Sequence, residues 1–309
     1  MTTGRRSRHS HLWALGGVDI ALAVIAVAVL LVWPAPSHAQ TPPAFTIHKV
    51  DDAAFTSPSR TEPFFVLLIG NDGREGLDGI RGDALHVIGV NPAAGTATIL
   101  NIPRDTYVDI PGFGNNKIND AYKQGGFSKQ VETVGALTGI PFSFVVETNF
   151  DGFQALVNEM GGLHVEIPSR VFDQNSGADF QPGRVHMLGP GALSFARNRN
   201  IPNGDIARTT NQGTLLIAGL ERAREVTKSP YDVVKLLGLV SRFTHVEGVG
   251  LRDLYSLVNL GLALDPASVR NVTMPSRIGK VGKADVVFVG DTAPGLFADL
   301  RDDAVLQSH

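Results

Sequence analysis

Apolar and polar positions fall into three regimes along the chain. Residues 12–33 (LWALGGVDIALAVIAVAVLLVW) are apolar on every side, with Asp19 as their one charge. Residues 41–62 carry Pro, Ser and Thr without a sustained period. From Pro63 onward, short runs rich in β-branched and aromatic residues alternate with stretches whose apolar residues recur at helical spacing. Residues 64–69, 84–90 and 96–102 read as strands, and the turn signal at 91–95 (NPAAG) makes the last two antiparallel neighbours. A helix follows at 128–137, with Val131, Val134 and Leu137 on one face, then a strand at 142–148. Residues 150–160 read as a helix closed by Gly161 and Gly162, and 163–167 as the next strand. A Gly-, Asp- and Gln-rich loop at 173–183 precedes helices at 190–196, 211–226, 231–243 and 251–264. Late strands at 269–274 and 286–289 and a short helix at 295–301 complete the pattern. Strands and helices alternate with no break in composition, which predicts one α/β domain over 63–309.

The first regime sets the location. Twenty-two residues at about 1.5 Å rise can cross a hydrocarbon core of about 30 Å. Arg5, Arg6 and Arg8 precede the run, which orients residues 1–11 to the cytoplasm. Ser37-His38-Ala39 resembles a small-x-small cleavage site, so 12–33 reads as a transmembrane anchor or a signal segment. Pro34 and Pro36 at its end favour the anchor. The expectation is a single-pass cell-membrane protein with an extracytoplasmic domain, or a secreted one if cleaved after Ala39. Residues 34–62 are then a linker holding the domain off the bilayer.

Composition narrows the chemistry. The 309 residues contain no Cys, which excludes disulfide scaffolds, thiol nucleophiles and Cys-liganded zinc. Lys and Arg number 27 against 30 Asp and Glu, a net charge of −3. With no basic excess, nucleic acid is not an expected partner. No G-x-x-x-x-G-K-[ST], G-x-S-x-G or H-E-x-x-H pattern occurs, and His86, His164 and His186 are scattered.

Charge is instead clustered where strands end and helices begin. Asp72 and Asp83 flank a Gly-rich loop between two strands, with Arg74 and Arg81 beside them. Two carboxylates without His or Cys suit a hard cation such as Mg²⁺, and the arginines suit a ligand with further negative charge. The alternative is an Asx-turn at Asp72, a strand cap at Asp83 and solvated arginines. Pro103 stops the third strand and places Arg104 at its terminus, followed by Asp105. Arg197, Arg199, Asp205, Arg208 and Gln212 form a fourth group. Arg208 and Gln212 share a helix face, whereas Arg197 and Arg199 share a side only if extended. Arginine grips phosphate with two parallel donors.

In order, LLIGNDGR, RGDALHVIGVNP, ILNIPRDTYVDIPGFGNNKINDAYKQGG, GIPFSFVVETNFDGF, MGGLHVEIP, LGPGALSFARNRN and GDIARTTNQ resemble the LytR-CpsA-Psr family of cell-envelope proteins over about residues 65–216. The resemblance implies a three-layer α/β/α domain with a mixed sheet, behind the N-terminal transmembrane segment. It implies a phosphotransferase that moves a glycopolymer from a polyprenyl-pyrophosphate carrier to peptidoglycan at the membrane. Catalytic roles would fall on Asp72, Asp83 and Arg104. Mg²⁺ would be held by Asp72 and Asp83. Pyrophosphate binding would fall on Arg81, Arg104, Arg197, Arg199 and Arg208, with Gln212 in support and Arg74 as a further candidate. The prenyl tail would lie in an apolar groove between sheet and helices. Asp105 is a candidate base by its place in the sequence. Two departures stand out: Ala84 where the family usually has Ser or Thr, and Asn211 where it usually has Arg. They keep open a binding module that does not transfer, and a pyrophosphatase with water as acceptor.

Overall fold

A seven-stranded mixed sheet organises the chain, and its two faces are packed differently. The computed structural model describes residues 45–49, 61–73, 80–247 and 250–307, all within the unit Pro43–His309. The expected membrane segment at 12–33 and Arg74 lie outside the described residues. The sheet runs β12(Thr244–Glu247), β1(Phe45–Lys49), β7(Phe144–Thr148), β2(Phe64–Asn71), β3(Gly82–Asn91), β4(Thr96–Ile102), β13(Val269–Thr273). β2 pairs antiparallel with β3 and β3 with β4, as the 91–95 turn requires, while β2–β7, β4–β13 and β1–β12 are parallel.

Strand alternation decides what each face buries. Leu67, Ile69, Leu85, Val87, Leu100 and Ile102 all point to one face and are fully buried beneath helices α1(Asp120–Thr138) and α7(Ala293–Asp303). The opposite face lies under α4(Asp205–Val226), α5(Pro230–Phe243) and α6(Leu251–Ala263). There the strand residues Val66, Ile88 and Val146 remain half-buried, as do Leu220, Val233, Leu257, Val258 and Leu260 above them. The result is three layers with one dry seam and one apolar seam that is incompletely closed. A second core, from α2(Phe150–Glu159), β8(Leu163–Ile167), β11(Gly183–Met187) and α3(Gly189–Arg197), packs against Leu215 and Ala218 of α4.

Three expectations are corrected. Residues 45–49 are not part of a tether. They form β1, inserted between β7 and β12, so the domain starts before residue 63. Residues 173–183 are not a plain loop, because β9(Val171–Asp173) and β10(Ala178–Phe180) pair as a hairpin. Helix α1 begins at Asp120 rather than 128. Its backbone leaves helical angles at Gly125 and Gly126, the latter at φ 65, which separates an upstream turn from the amphipathic stretch that the spacing reveals. Hairpins β5(Tyr107–Ile110)–β6(Gly114–Lys117) and β14(Ser276–Val281)–β15(Ala284–Val289) add to the sheet's outline.

Under α4 the sheet is polar. His86 Nδ1 lies 2.8 Å from Asn101 Oδ1, and the Asn101 amide donates to Asn271 Oδ1 at 2.6 Å. Asn271 in turn donates to the Thr210 carbonyl of α4 at 3.1 Å. Gly213 lets the helix come this close, since a Cβ there would sit 2.1 Å from Asn271 Oδ1 and 2.6 Å from Asn101 Oδ1. Because the Asn101 amide is committed to Asn271, its oxygen accepts the proton of a neutral His86.

Burial pushes His86 down from 6.5 to about 4; the bonds to Asn101 and Gln212 oppose this, and the nearby Arg208 adds to it. A depressed histidine is neutral in the fold and protonates first in the unfolded chain, so its contribution is complete above pH 6.5 and lost as pH falls to 4. The full shift corresponds to roughly 3 kcal/mol. Urea unfolding of the wild type should therefore lose stability between pH 6.5 and 4 by up to that amount more than His86→Gln does. Parallel profiles for the two proteins would contradict it.

Candidate functional site

The carboxyl ends of β2 and β4 and the start of β3 meet at one sheet edge, and the charged residues gather there. The loop between β2 and β3 is pinned at its base: Asp72 N–H donates to the Arg81 carbonyl at 3.3 Å, and Arg81 N–H donates to Asp72 Oδ1 at 2.9 Å. The Asx-turn alternative is thus replaced by a cross-loop clasp. Arg81 Nε donates to Asp120 Oδ1 at 3.1 Å, and this bond, with the charges of Asp120, Asp83 and Asp72, raises its pKa. Asp83 is engaged on both oxygens, by Arg104 Nη1 at 2.5 Å and Asn119 Nδ2 at 3.2 Å. Pro103 ends the β4 ladder, and its carbonyl accepts from Thr106 N–H and Oγ1, which turns the chain so that Arg104 faces Asp83.

Asp205, the first residue of α4, is the hub. Its Oδ1 lies 2.9 Å from Arg208 Nη2, 3.1 Å from Arg199 Nη2 and 3.6 Å from Arg104 Nε. Arg208 is only 5% exposed. Burial brings its pKa down to about 10, Asp205 opposing and the positive charges of Arg104 and Arg199 adding, so it remains charged near neutrality. Arg208 also donates to the Asp83 carbonyl at 3.3 Å. Asp105 bridges Lys117 at 3.2 Å and Arg199 at 3.6 Å.

These groups open onto a cleft of about 760 Å³. Of the residues expected from sequence, Asp83, Arg104, Arg197, Arg199, Arg208 and Gln212 all line it, together with Ala84. Arg197 ends helix α3 and lies over the Phe150 ring at 5.3 Å, whereas Arg199 belongs to the segment beyond, so the pair converges although only one of them is extended. Asp72 and Arg81 adjoin the cleft without lining it; Asn211 does not line it either.

Three buried polar atoms around the cleft have no hydrogen-bond partner: Arg104 Nε, Arg208 Nε and Asp205 Oδ2. The guanidinium groups of Arg104, Arg197, Arg199 and Arg208 line the cleft, and such donors are what an oxyanion ligand requires. Among the described residues no group of three or more His, Asp or Glu is arranged to hold a metal alone. Asp72 and Asp83 nevertheless supply two hard oxygen donors that both act on Arg81. Mg²⁺ commonly takes one or two carboxylates and completes its shell with phosphate oxygens and water. The donor set therefore fits that ion in the company of an anionic ligand.

The sequence pattern did not assign roles to Asp205, Asn119, Asp120 or Lys117. A carboxylate at the first position of a helix reads as an ordinary dipole partner. Only the fold shows Asp205 collecting three guanidinium groups.

Comparison with known proteins identifies relatives of the chain. The model of the LytR_cpsA_psr family matches residues 37–293. The polyisoprenyl-teichoic acid–peptidoglycan teichoic acid transferase TagU of Bacillus mycoides is 37% identical over 166 residues, 53% of this chain and 54% of that protein. TagT of Bacillus subtilis, which carries the same activity in its name, is 32% identical over 229 residues, 67% of this chain and 71% of that one. The chain spans about half the length of several curated relatives it matches. Among solved structures, B. subtilis TagV superposes with a TM-score of 0.68 at 25% identity, covering 80% of this chain and 99% of that one. TagT bound to LI-WTA gives 0.66 at 25% identity, covering 83% and 96%. With a family model that accounts for most of its length and the arginine–aspartate cleft in place, the chain belongs to the LytR-CpsA-Psr family.

Proposed function

We propose that this protein transfers a glycopolymer from a polyprenyl-pyrophosphate carrier to peptidoglycan. The observation that carries the reading is the convergence of Arg104, Arg199 and Arg208 on Asp205, beside Asp83, at the wall of one cleft. The relatives named as teichoic acid transferases act on a polyisoprenyl-linked donor and peptidoglycan, which supports the same substrate class here. The half-closed apolar seam between the sheet and α4–α6 supports a place for the prenyl tail. The cleft itself is largely polar, with Phe150, Phe172 and Ala84 as its apolar lining, so it suits the diphosphate and not the tail. Anchoring at the outer face of the cytoplasmic membrane through residues 12–33 completes the proposal.

In this reading Arg104, Arg199 and Arg208 grip the diphosphate oxygens and spread the negative charge that grows on them during transfer. Arg197 stands at the cleft wall, braced by Phe150, and Gln212 lines the cleft beside it, its amide donating to the Ala196 carbonyl. Asp205 holds the guanidinium groups in register before the ligand arrives, which lowers the cost of ordering them on binding. The acceptor hydroxyl attacks the sugar-linked phosphorus and polyprenyl phosphate departs. Asp72 and Asp83 would hold Mg²⁺, which when bound supplies neutralising charge to the diphosphate.

The test is incubation of the purified protein with a prenyl-pyrophosphoryl glycan, peptidoglycan and Mg²⁺. Polyprenyl phosphate should be released together with glycan attached to peptidoglycan, and EDTA should stop both until Mg²⁺ is restored. Tight donor binding with no product would favour the binding module, and release without attachment the pyrophosphatase. Arg104→Ala and Arg208→Ala should each lower turnover by a factor of about 10²–10³, the range for removing one donor that stabilises transition-state charge. Unchanged turnover in both, with folding verified by circular dichroism, would remove the arginine cluster from the mechanism.

A further inference from the structure

We propose that the β9–β10 hairpin forms a carbohydrate subsite beside the diphosphate site, with Phe172 as its stacking platform. The inference rests on the reading of the cleft given above and names what occupies its second wall. That wall differs in chemistry from the first. Beside Arg199, the cleft is lined by Phe172, Asp173, Gln174, Asn175, Ser176 and Asn200. Phe172 is 52% exposed, yet it is not a loose surface ring. The Arg170 guanidinium lies 5.8 Å from its centroid and is itself bonded to Asp179 on the paired strand at 2.7 Å. One part of the ring's surroundings is therefore fixed by the hairpin, and the ring still reaches the cleft.

The hairpin is also tied to the loop that carries Arg199. Asn200 Nδ2 donates to the Phe172 carbonyl at 2.8 Å, and Arg199 N–H donates to Asp173 Oδ2 at 2.9 Å. The sugar wall and the phosphate wall are thus held at a fixed spacing. Gln174 and Asn175 are exposed, and none of their side-chain amide groups is hydrogen-bonded within the described protein. An aromatic face carries negative quadrupole charge that attracts the slightly positive C–H face of a pyranose ring. Carboxamides offer donor and acceptor together, which matches hydroxyl groups that are both. An apolar tail would leave these carboxamides unpaired, and a second phosphate would find no cation among them. A pyranose satisfies both features of the wall.

The sugar can come from the donor, joined to the diphosphate, or from the peptidoglycan acceptor; the chemistry is shared, and the experiment separates them. Calorimetric titration of the full chain would use farnesyl pyrophosphate, farnesyl-pyrophosphoryl-N-acetylglucosamine and a phosphate-free peptidoglycan disaccharide. A donor sugar predicts that the sugar-bearing diphosphate binds about tenfold more tightly than the bare one, the size of one aromatic contact plus one hydrogen bond. Phe172→Ala and Asn175→Ala should abolish that preference while leaving farnesyl pyrophosphate within about twofold of wild type, and Phe172→Trp should retain it. An acceptor sugar predicts no such preference, but disaccharide binding that Phe172→Ala abolishes. No preference together with no Phe172-dependent disaccharide binding would overturn the proposal, as would a loss in Phe172→Ala that is equal for both diphosphates. Should neither diphosphate bind the wild type, the reading of the arginines fails. The hairpin is then judged by the fluorescence of Phe172→Trp on adding the disaccharide: a change supports the subsite and a flat signal removes it.

Discussion

Three guanidinium groups drawn to one carboxylate constrain everything at this site. Arg104 comes from the end of β4, Arg199 from the loop after α3 and Arg208 from the first turns of α4, and Asp205 Oδ1 lies within 3.6 Å of all three. Without that carboxylate the cations would repel one another, most severely at Arg208, whose surroundings are nearly dry. Asp205 can serve because it begins α4, and α4 is seated on the sheet by the Asn101–Asn271–Thr210 bonds and by the absence of a side chain at Gly213. The electrostatics of the cleft and the polar packing beneath the helix are therefore one construction.

The asymmetry of the sheet follows the same division of labour. The face under α1 and α7 is closed, with its central side chains fully buried, and this face supplies cohesion. The opposite face combines a polar patch under the start of α4 with an apolar seam in which Val66, Ile88, Val146, Leu257 and Leu260 stay half-buried around buried neighbours such as Phe144 and Leu254. A chain optimised only for stability would fill such a seam, since each uncovered methylene forgoes about 0.8 kcal/mol. The molecule thus carries an incompletely covered apolar seam as well as a charged cleft, the two properties that a lipid diphosphate combines.

Legibility from sequence tracked how local each cause was. The β3–β4 pair, α2 with its Gly161–Gly162 stop and the late helices were readable, because periodicity and turn residues act over a few positions. β1 was missed because its five residues sit in a Pro- and Thr-bearing stretch and are justified only by β7 and β12, about 100 and 200 residues away. The first turns of α1 were hidden by the break at Gly125 and Gly126. At the site, the arginines and the two flanking aspartates were legible as charge at element ends, and the family resemblance set them in order. Their partners were not. That Asp120 pairs with Arg81, Asn119 with Asp83 and Lys117 with Asp105 depends on the β5–β6 hairpin and α1 returning to the same edge.

The charge balance of the cleft bears on how a ligand enters it. Among the described residues, Arg81, Arg104, Arg197, Arg199, Arg208 and Lys117 are matched in number by Asp72, Asp83, Asp105, Asp120, Asp173 and Asp205, which lie in or beside the same cleft. Among the described residues the arginines are therefore a set whose charge the carboxylates offset and whose orientation they maintain. A diphosphate that displaces Asp83 from Arg104 leaves a carboxylate uncompensated at the moment further negative charge arrives. A divalent cation taken up with the diphosphate answers both needs, since it shields the phosphate oxygens and gives Asp72 and Asp83 a new counter-charge. On the proposed reading, a diphosphate bound alone would leave unbalanced the charges that the folded protein already holds in register.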